Sequence, residues 1–276
     1  MKKRGYLKAL CLILLVCLAP APAMSFNSAA HVYIADRVYP ASNYKLDLRY
    51  GSIAPDISLY VMNPARWPFA FSDTHVDFIE LMPYTWTGRQ RAFSRGWVTH
   101  NEDWGADYFA HIEYPPGSGA GYVLHKAAVM EAQLGLDPEF GHFAVETAID
   151  LLLKANDPRL GKKLVNANLF RSWQDRKLLV NVFVRRERLT DWYTVVSTEL
   201  AFRNLVSQYA AAYSLPPPFD RVALADLGSR LARDMYGIEV SPLEVYALLN
   251  YAVSLCQGDY AAFVNDTIEG IKAAVP

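Results

Sequence analysis

The six histidines of this chain all lie between residues 31 and 142, and carboxylates accompany most of them. They are His31, His75, His100, His111, His125 and His142. No histidine occurs from residue 143 to the end of the chain. Imidazole and carboxylate groups together are typical ligands of zinc and related ions in hydrolytic sites. The clustering therefore predicts a metal site built from the N-terminal half of the chain.

A predicted helix over residues 89–112 carries four of these potential ligands at helical spacing. If His100 is placed at 0°, Asp103 falls at about 300°, Asp107 at about 340° and His111 at about 20° around the helix axis. All four would lie in one stripe. A solvated polar face is the alternative, but such faces are usually built from Lys and Glu. We therefore expect metal ligands here, with Asp107 able to bridge two ions.

A second helix, predicted over residues 138–153, carries His142 and Glu146 at spacing i, i+4. This spacing puts both side chains on one helix face, where they could hold one ion. A surface ion pair would have the same spacing. The neighbouring stripe over residues 100–111 favours the metal-site interpretation.

Asp56 and His75 add a carboxylate and an imidazole from segments without clear periodicity. Asp56 follows Ala-Pro and could instead cap a helix. His31 lies on a predicted helix over residues 28–39 that is otherwise apolar, so it could be a core histidine. His125 could support a ligand or compete with His142 as one.

The rest of the chain is predicted to be helical. Apolar residues recur with the 3.6-residue period over five further stretches, 122–134, 168–184, 190–213, 221–235 and 241–255. No alternating strand pattern and no internal repeat is evident. The sequence predicts an all-α protein with one domain over residues 26–276. Its ligands would lie within 26–150, and the helical extension 151–276 has no assigned chemistry.

Residues 1–25 have the pattern of a secretory signal peptide: a basic start, an apolar stretch over 6–18 and small residues over 19–25. The apolar stretch is too short to be a good membrane-spanning helix. We expect cleavage after Ser25, with a cut after Ala23 as the alternative. The protein would then be exported, to the periplasm or out of the cell. Cys256 would be the single remaining cysteine, which excludes an intrachain disulfide and a cysteine-based metal site.

The formal net charge of −1 and the lack of a basic block argue against duplex nucleic acid as a partner. The chain is rich in aromatic residues, with 17 Tyr, 13 Phe and 6 Trp. Those rings would suit an apolar cleft or a well-packed core.

Four short segments, in this order, resemble the zinc-dependent phospholipase C family and its relatives, the single-strand nucleases. They are Phe26-Asn-Ser-Ala-Ala-His31, Gly51-Ser-Ile-Ala-Pro-Asp56, the stretch from Gly96-Trp-Val-Thr-His100 to Asp107-Tyr-Phe-Ala-His111, and Gly141-His142-Phe-Ala-Val-Glu146. The resemblance covers about residues 26–150.

The resemblance implies an all-α bundle that encloses two or three zinc ions. It would assign one zinc to Asp56, His75, His100 and Asp107, a second to His111, His142 and Glu146, and a third to His31, Asp107 and the backbone of a new N-terminal Phe26. It also implies that Asp56 is the general base. The family usually spaces its central His and Asp by four residues. Here Asp107 is seven residues and Asp103 three residues from His100, so both are candidates.

The activity implied is hydrolysis of a phosphodiester, with a phospholipid head group as the expected substrate. The low net charge and the aromatic-rich composition favour lipid over nucleic acid. We expect transient contact with a membrane surface and no transmembrane segment in the mature chain. Two alternatives remain, a single-strand nuclease of the same fold and a non-catalytic metal-binding envelope protein.

Overall fold

The structure, a computed structural model, describes residues 28–136 and 138–275. Across these residues it contains eleven α-helices and no β-strand, which confirms the predicted all-α class. The α-helices are α1 (Ser28–Val38), α2 (Lys45–Ile53), α3 (Gly88–Val98), α4 (Tyr122–Leu134), α5 (Pro138–Asn156), α6 (Leu160–Phe170), α7 (Trp173–Leu179), α8 (Trp192–Tyr213), α9 (Phe219–Tyr236), α10 (Pro242–Cys256) and α11 (Tyr260–Ala274). The signal peptide predicted over residues 1–25 lies outside the described residues.

Shorter helical segments of two kinds connect these helices. Ala54–Tyr60 and Met82–Tyr84 are 3₁₀-helices, and Ser72–Val76, Tyr108–Ile112 and Val180–Arg186 are π-helices. No described helix has the length and apolar character needed to span a membrane.

The prediction of one continuous helix over residues 89–112 is wrong in the middle of that range. α3 ends at Val98, turns follow, and helical structure resumes just before the π-helix Tyr108–Ile112. Asn101 explains the break, because its side-chain oxygen accepts hydrogen bonds from the backbone N–H groups of residues 103, 104 and 105 at 2.9, 2.9 and 3.2 Å. Such side-chain bonds compete with the helical pattern. The single stripe of four ligands therefore does not exist.

The prediction also missed α2, α11 and most of α6, and it merged the end of α6 with α7. The chain breaks between α6 and α7 at Arg171 and Ser172, where the Ser172 hydroxyl caps α7 by accepting from the Gln174 N–H. α11 has a regular apolar face, including Phe263, Val264, Ile268 and Ile271, that could have been found in the sequence.

α1 is surrounded by other helices. It packs against α2, α5, α6 and α11, and its residues 29–35 are all buried. α5 packs in turn against α4 and α10, while α8 packs against α6, α9 and the segment Ala54–Tyr60. One continuous set of buried apolar side chains runs through these contacts. The apolar core thus places α1 and α5 side by side.

α2 and α3 cross at very short range. A Cβ atom on Gly96 would lie 1.9 Å from the Leu48 carbonyl oxygen, and one on Gly51 would lie 2.0 Å from the Phe93 carbonyl oxygen. Only glycine tolerates such close backbone approach. The crossing brings the end of α3, and His100 just beyond it, against α2.

Asp150, on α5, caps the start of α1 from another part of the chain. Its carboxylate accepts hydrogen bonds from the backbone N–H groups of Ala29 and Ala30, at 3.1 and 2.7 Å, and from the Tyr209 hydroxyl at 2.7 Å. The first N–H groups of a helix have no partner within the helix, so an acceptor there is stabilising. These bonds fix the first turn of α1 relative to α5 and α8.

Glu199, on α8, is a second buried carboxylate that joins distant segments. It accepts hydrogen bonds from the Tyr50 hydroxyl at 2.9 Å and from Arg176 Nε at 2.6 Å, and it also binds Arg171. Glu199 is completely buried. It therefore ties α2 and α7 to α8.

We expect Glu199→Gln to lower the free energy of unfolding by about 3–5 kcal/mol, because removing one partner leaves buried guanidinium charge uncompensated. Urea denaturation measures this change. Asp226→Asn is the control, since Asp226 pairs with Arg230 at 3.2 Å on an exposed helix face. There the change should stay within about 1 kcal/mol. Equal effects of the two substitutions would contradict the role of Glu199.

Asp150 should make the stability of the protein depend on pH. Burial raises the pKa of Asp150 from an ordinary value of 3.8 to about 8, although its three donors oppose that shift. Between these two pH values the folded protein binds more protons than the unfolded chain, so the free energy of unfolding falls as pH rises.

Urea denaturation from pH 4 to pH 8 measures this slope, whose limits are the two pKa values of Asp150. Asp150→Asn should remove the Asp150 contribution and flatten the slope, because the amide does not titrate. Parallel slopes for the two proteins would contradict the prediction.

Candidate metal centre

Eight of the ten predicted site residues meet in the interior of the protein. They are His31, Asp56, His75, His100, Asp107, His111, His142 and Glu146, and all eight are buried. Their nitrogen and oxygen atoms form sets of three, each with ligand atoms within 4.8 Å of one another, that could hold metal ions. The sets are His31–Asp56–His100, His75–His100–Asp107 and His111–His142–Glu146.

The first cluster consists of His31, Asp56, His75, His100 and Asp107. The Nε2 atoms of His75 and His100 lie 3.5 and 3.4 Å from Asp56 Oδ1. The same two atoms lie 3.8 and 3.3 Å from Asp107 Oδ2. His31 Nε2 lies 3.6 Å from Asp107 Oδ1. The imidazoles thus direct their Nε2 atoms towards two carboxylates.

These distances suit ligands of a shared ion better than hydrogen bonds. An N–H···O bond usually spans about 2.7–3.2 Å. Two ligands at tetrahedral positions, each about 2.0–2.2 Å from a small divalent ion, are about 3.3–3.6 Å apart. Asp56 Oδ1 and His75 Nε2 are buried and make no hydrogen bond within the described residues. The first cluster therefore has the spacing expected around a cation.

Hydrogen bonds on the far side of two imidazoles fix their orientation. His100 Nδ1 lies 2.8 Å from the Ser52 carbonyl oxygen and can only donate to it. His75 Nδ1 lies 2.7 Å from Thr74 Oγ1, whose own proton goes to the Ala70 carbonyl oxygen at 3.0 Å. The hydrogen is therefore on Nδ1 in both rings. Metal-binding histidines are commonly held in this way, with Nε2 turned towards the ion.

The second cluster consists of His111, His142 and Glu146. On α5, His142 Nε2 lies 2.9 Å from Glu146 Oε1, the i, i+4 contact expected from the sequence. His111 Nε2 lies 3.4 Å from the same oxygen and 3.1 Å from His142 Nε2. All three ligand atoms thus converge on one point.

π-Helical turns present two of the histidines. His75 lies in Ser72–Val76 and His111 lies in Tyr108–Ile112. A π-helical turn holds one more residue than an α-helical turn and is frequent at functional sites. Both segments therefore depart from regular helix at a ligand.

Glu102 joins the two clusters and was missed in the sequence. Its carboxylate, Asp107 and His111 also offer ligand atoms within 4.8 Å of one another. Burial, with the nearby Asp107 charge, raises the pKa of Glu102. Its backbone N–H donates to the His75 carbonyl oxygen at 3.1 Å. Glu102 lies off the stripe that guided the sequence prediction, so only its place between His100 and Asp107 could have indicated it.

Asp103 and His125 lie outside both clusters. Asp103 is exposed, in the turn where Asn101 has broken the helix, and it belongs to none of the sets. This corrects its inclusion among the ligands, and Asp107 is the carboxylate in the cluster. His125 is exposed on α4 and also belongs to none of the sets. Phe26 lies outside the described residues, so its role stays a prediction.

Burial controls the charges of the imidazoles. It lowers the pKa of His31 to about 3, with help from His100, and the pKa of His142 to about 3, with help from His111. Both rings are uncharged at neutral pH, which is the form that binds metals. Burial also acts to lower the pKa of His100, but Asp107 and Asp56 raise it well above its ordinary value. A cation bound there would replace the His100 proton.

Burial acts to raise the pKa of both carboxyls of the first cluster, but His100 and the other surrounding histidines together more than offset it. The pKa of Asp56 and the pKa of Asp107 therefore lie below their ordinary range. The two ionised carboxylates attract positive charge, which the protonated His100 supplies here and which a bound cation would replace.

We expect divalent ions to stabilise the protein through these clusters. At a free ion concentration of 100 times Kd, the free energy of unfolding should rise by about 2.7 kcal/mol. Loss of a group that only supports a metal ligand lowers ion affinity roughly 10- to 100-fold. His100→Ala should lower it by more than this, because His100 would itself bind the ion. Thermal unfolding with added zinc, and elemental analysis, measure both effects.

His125→Ala is the matched control, because His125 is exposed and belongs to none of the sets. It should bind ions as the unaltered protein does. Equal ion affinity of the His100 and His125 variants would refute the site.

Comparison with protein-family models, with curated proteins and with solved structures finds no match to this chain. The chemistry of the site therefore follows from its own residues and distances.

Proposed function

We propose that the protein is a zinc-dependent phosphodiester hydrolase that acts as a phospholipase C. The observation that carries the proposal is the pair of adjoining His/carboxylate clusters, linked through Asp107 and His111. Zinc binds through nitrogen and oxygen ligands, and catalytic zinc sites keep a position for water beside three protein ligands. When bound, such ions lower the pKa of water to about 7 and neutralise charge that develops on phosphoryl oxygens.

Two ligands keep a small part of their surface in contact with solvent. Asp56 and His111 keep 6 and 7 % of their surface exposed, whereas His75, His100 and Asp107 keep none. A phosphate group would approach at Asp56 and His111. In the proposed reaction Asp56 accepts the proton of the attacking water. This access favours an enzyme over a sealed structural site.

Exposed apolar side chains next to the ligands favour a lipid substrate. Val76 follows His75 and is 48 % exposed, and Ile112 follows His111 and is 45 % exposed. Phe69, at 68 % exposure, lies shortly before the π-helix that carries His75. Apolar side chains at these positions would be removed from water by an apolar part of a bound substrate. It would contact the acyl part of a phospholipid while the head group enters the site.

The zinc-loaded protein should release a phosphorylated head group from a short-chain phosphatidylcholine that is dissolved as monomers. Removal of the ions with a chelator should abolish the activity, and added zinc should restore it. Asp56→Asn should reduce kcat by about 10²- to 10⁴-fold, the usual contribution of a general base. His125→Ala should leave the activity unchanged. Metal content is measured for each variant.

The same assay separates the alternatives. Hydrolysis of single-stranded oligonucleotides without hydrolysis of the phospholipid would replace the phospholipase with a nuclease. An ion-loaded protein that cleaves neither substrate would overturn the proposal in favour of a non-catalytic metal-binding protein.

A further inference from the structure

A surface cleft outside the metal centre combines exposed indoles with positive charge. It has a volume of about 320 Å³ and lies between the segment that precedes α3 and the segment from α7 to Arg186. Trp86, Trp173, Lys177, Arg185 and Arg186 are among its lining residues. None of these residues belongs to the sets that could hold a metal.

The two indoles are unusually exposed for their size. Trp86 keeps 79 % and Trp173 keeps 68 % of its surface in contact with solvent. Lys177 Nζ lies 5.4 Å from the centre of the Trp173 ring, so a cation accompanies one of the rings. Exposed tryptophan is costly in water and is frequent where proteins meet the head-group region of a bilayer.

The cleft has an excess of positive charge, with three cations against the one neighbouring acid, Glu187. Lys177, Arg185 and Arg186 form no salt bridge with any residue that the structure describes. Glu187, the neighbouring acid, accepts a hydrogen bond from the Tyr84 hydroxyl at 2.7 Å. The cleft therefore suits an anionic partner.

The walls of the cleft are held together by hydrogen bonds. Thr87 Oγ1 donates to Gln174 Oε1 at 2.7 Å, which joins the start of α3 to α7. The Trp86 backbone N–H donates to Gln90 Oε1 at 2.9 Å. The indoles and the cations thus stand on segments with fixed relative positions.

Further exposed apolar residues lie close to the two indoles in the chain, although they do not line the cleft. Met82 precedes Trp86 and is 38 % exposed, while Leu169 and Phe170 precede Trp173 and are 52 and 63 % exposed. A single-stranded nucleic acid would use rings and cations, but it would leave these apolar side chains in water. An acyl-chain interface would cover them. The apolar residues therefore favour a lipid surface as the partner.

We propose that this cleft docks the protein onto an anionic phospholipid surface, with Trp86 and Trp173 at head-group depth and Lys177, Arg185 and Arg186 on lipid phosphates. The proposal rests on the proposed function in one respect, since docking would bring the metal centre to its substrate. Basic residues near an anionic membrane, and aromatic residues at its interface, both contribute to binding.

The test is co-sedimentation of the full chain with vesicles of phosphatidylcholine alone or mixed with phosphatidylserine. Binding should require phosphatidylserine and should weaken with added salt. Each of Lys177→Gln, Arg185→Gln and Arg186→Gln should weaken binding about fivefold, from a contribution of about 1 kcal/mol per basic residue. The double variant W86A/W173A should weaken binding by at least about tenfold, which is the contribution of one fully buried large apolar side chain.

Two matched controls use residues outside the cleft lining. Trp192→Ala removes an indole that is 59 % exposed. Substitution of Arg230, Arg233 and Lys272 by Gln removes three exposed cations elsewhere. Both controls should bind vesicles as the unaltered protein does. Equal vesicle binding by the cleft variants and the control variants would overturn the docking proposal. It would also be overturned if the protein bound an oligonucleotide, the cleft variants lost that binding, and vesicles did not compete with it.

Hydrolysis of the dissolved short-chain phospholipid separates this proposal from the proposed function. The cleft variants should retain that hydrolysis. An unaltered protein that cleaves the dissolved substrate but ignores anionic vesicles would overturn the docking alone. A protein that binds the vesicles but cleaves no phosphodiester would refute the proposed function and leave the docking in place.

Discussion

The burial of carboxylates together with imidazoles is the constraint on which the rest of this structure depends. Asp56, Asp107 and Glu146 lie almost entirely out of water, where an ionised carboxylate is costly unless positive charge or hydrogen bonds compensate it. His100 supplies part of that compensation through its contacts with Asp56 and Asp107. Burial keeps His31 and His142 uncharged, and His75 directs its Nε2 atom towards Asp56 and Asp107. The interior is thus arranged for cations, and the helices must hold it against the mutual repulsion of its acids.

Two backbone features provide that support. The close backbone contact at Gly51 and Gly96 between α2 and α3 allows the Ser52 carbonyl to reach His100. The absence of two side chains at this crossing thus helps to orient a candidate metal ligand. Asp150 does the same for His31 by fixing the first turn of α1, one residue before that histidine. Neither feature touches an ion. Both act by positioning groups that would, and α5 carries His142 and Glu146 on the same helix as Asp150.

The sequence was sufficient for the helical class and for most of the ligand candidates. Apolar periodicity located α1, α4, α5 and α8, and the confinement of histidine to one half of the chain indicated the site. The positions of the individual ligands also depended on hydrogen bonds from side chains to the backbone, which the apolar periodicity does not reveal. The Asn101 oxygen ends the regular helix, so Asp103 is exposed while the half-buried Glu102 reaches Asp107 and His111. The basic cleft was not foreseen, because Trp86 and Trp173 are distant in the chain and only the fold brings them together.

The packing of α1 against α11 has a consequence for how the centre is assembled during synthesis. Ribosomes deliver a chain from its N-terminus, and domains commonly fold in that order. Here the helix that carries His31 is the first described helix, and it packs against the last one, Tyr260–Ala274. All eight ligand candidates leave the ribosome well before that neighbour exists. The contact between α1 and α11 can therefore form only after every ligand candidate has been made, so burial of the helix that carries His31 is completed late in the assembly of the fold.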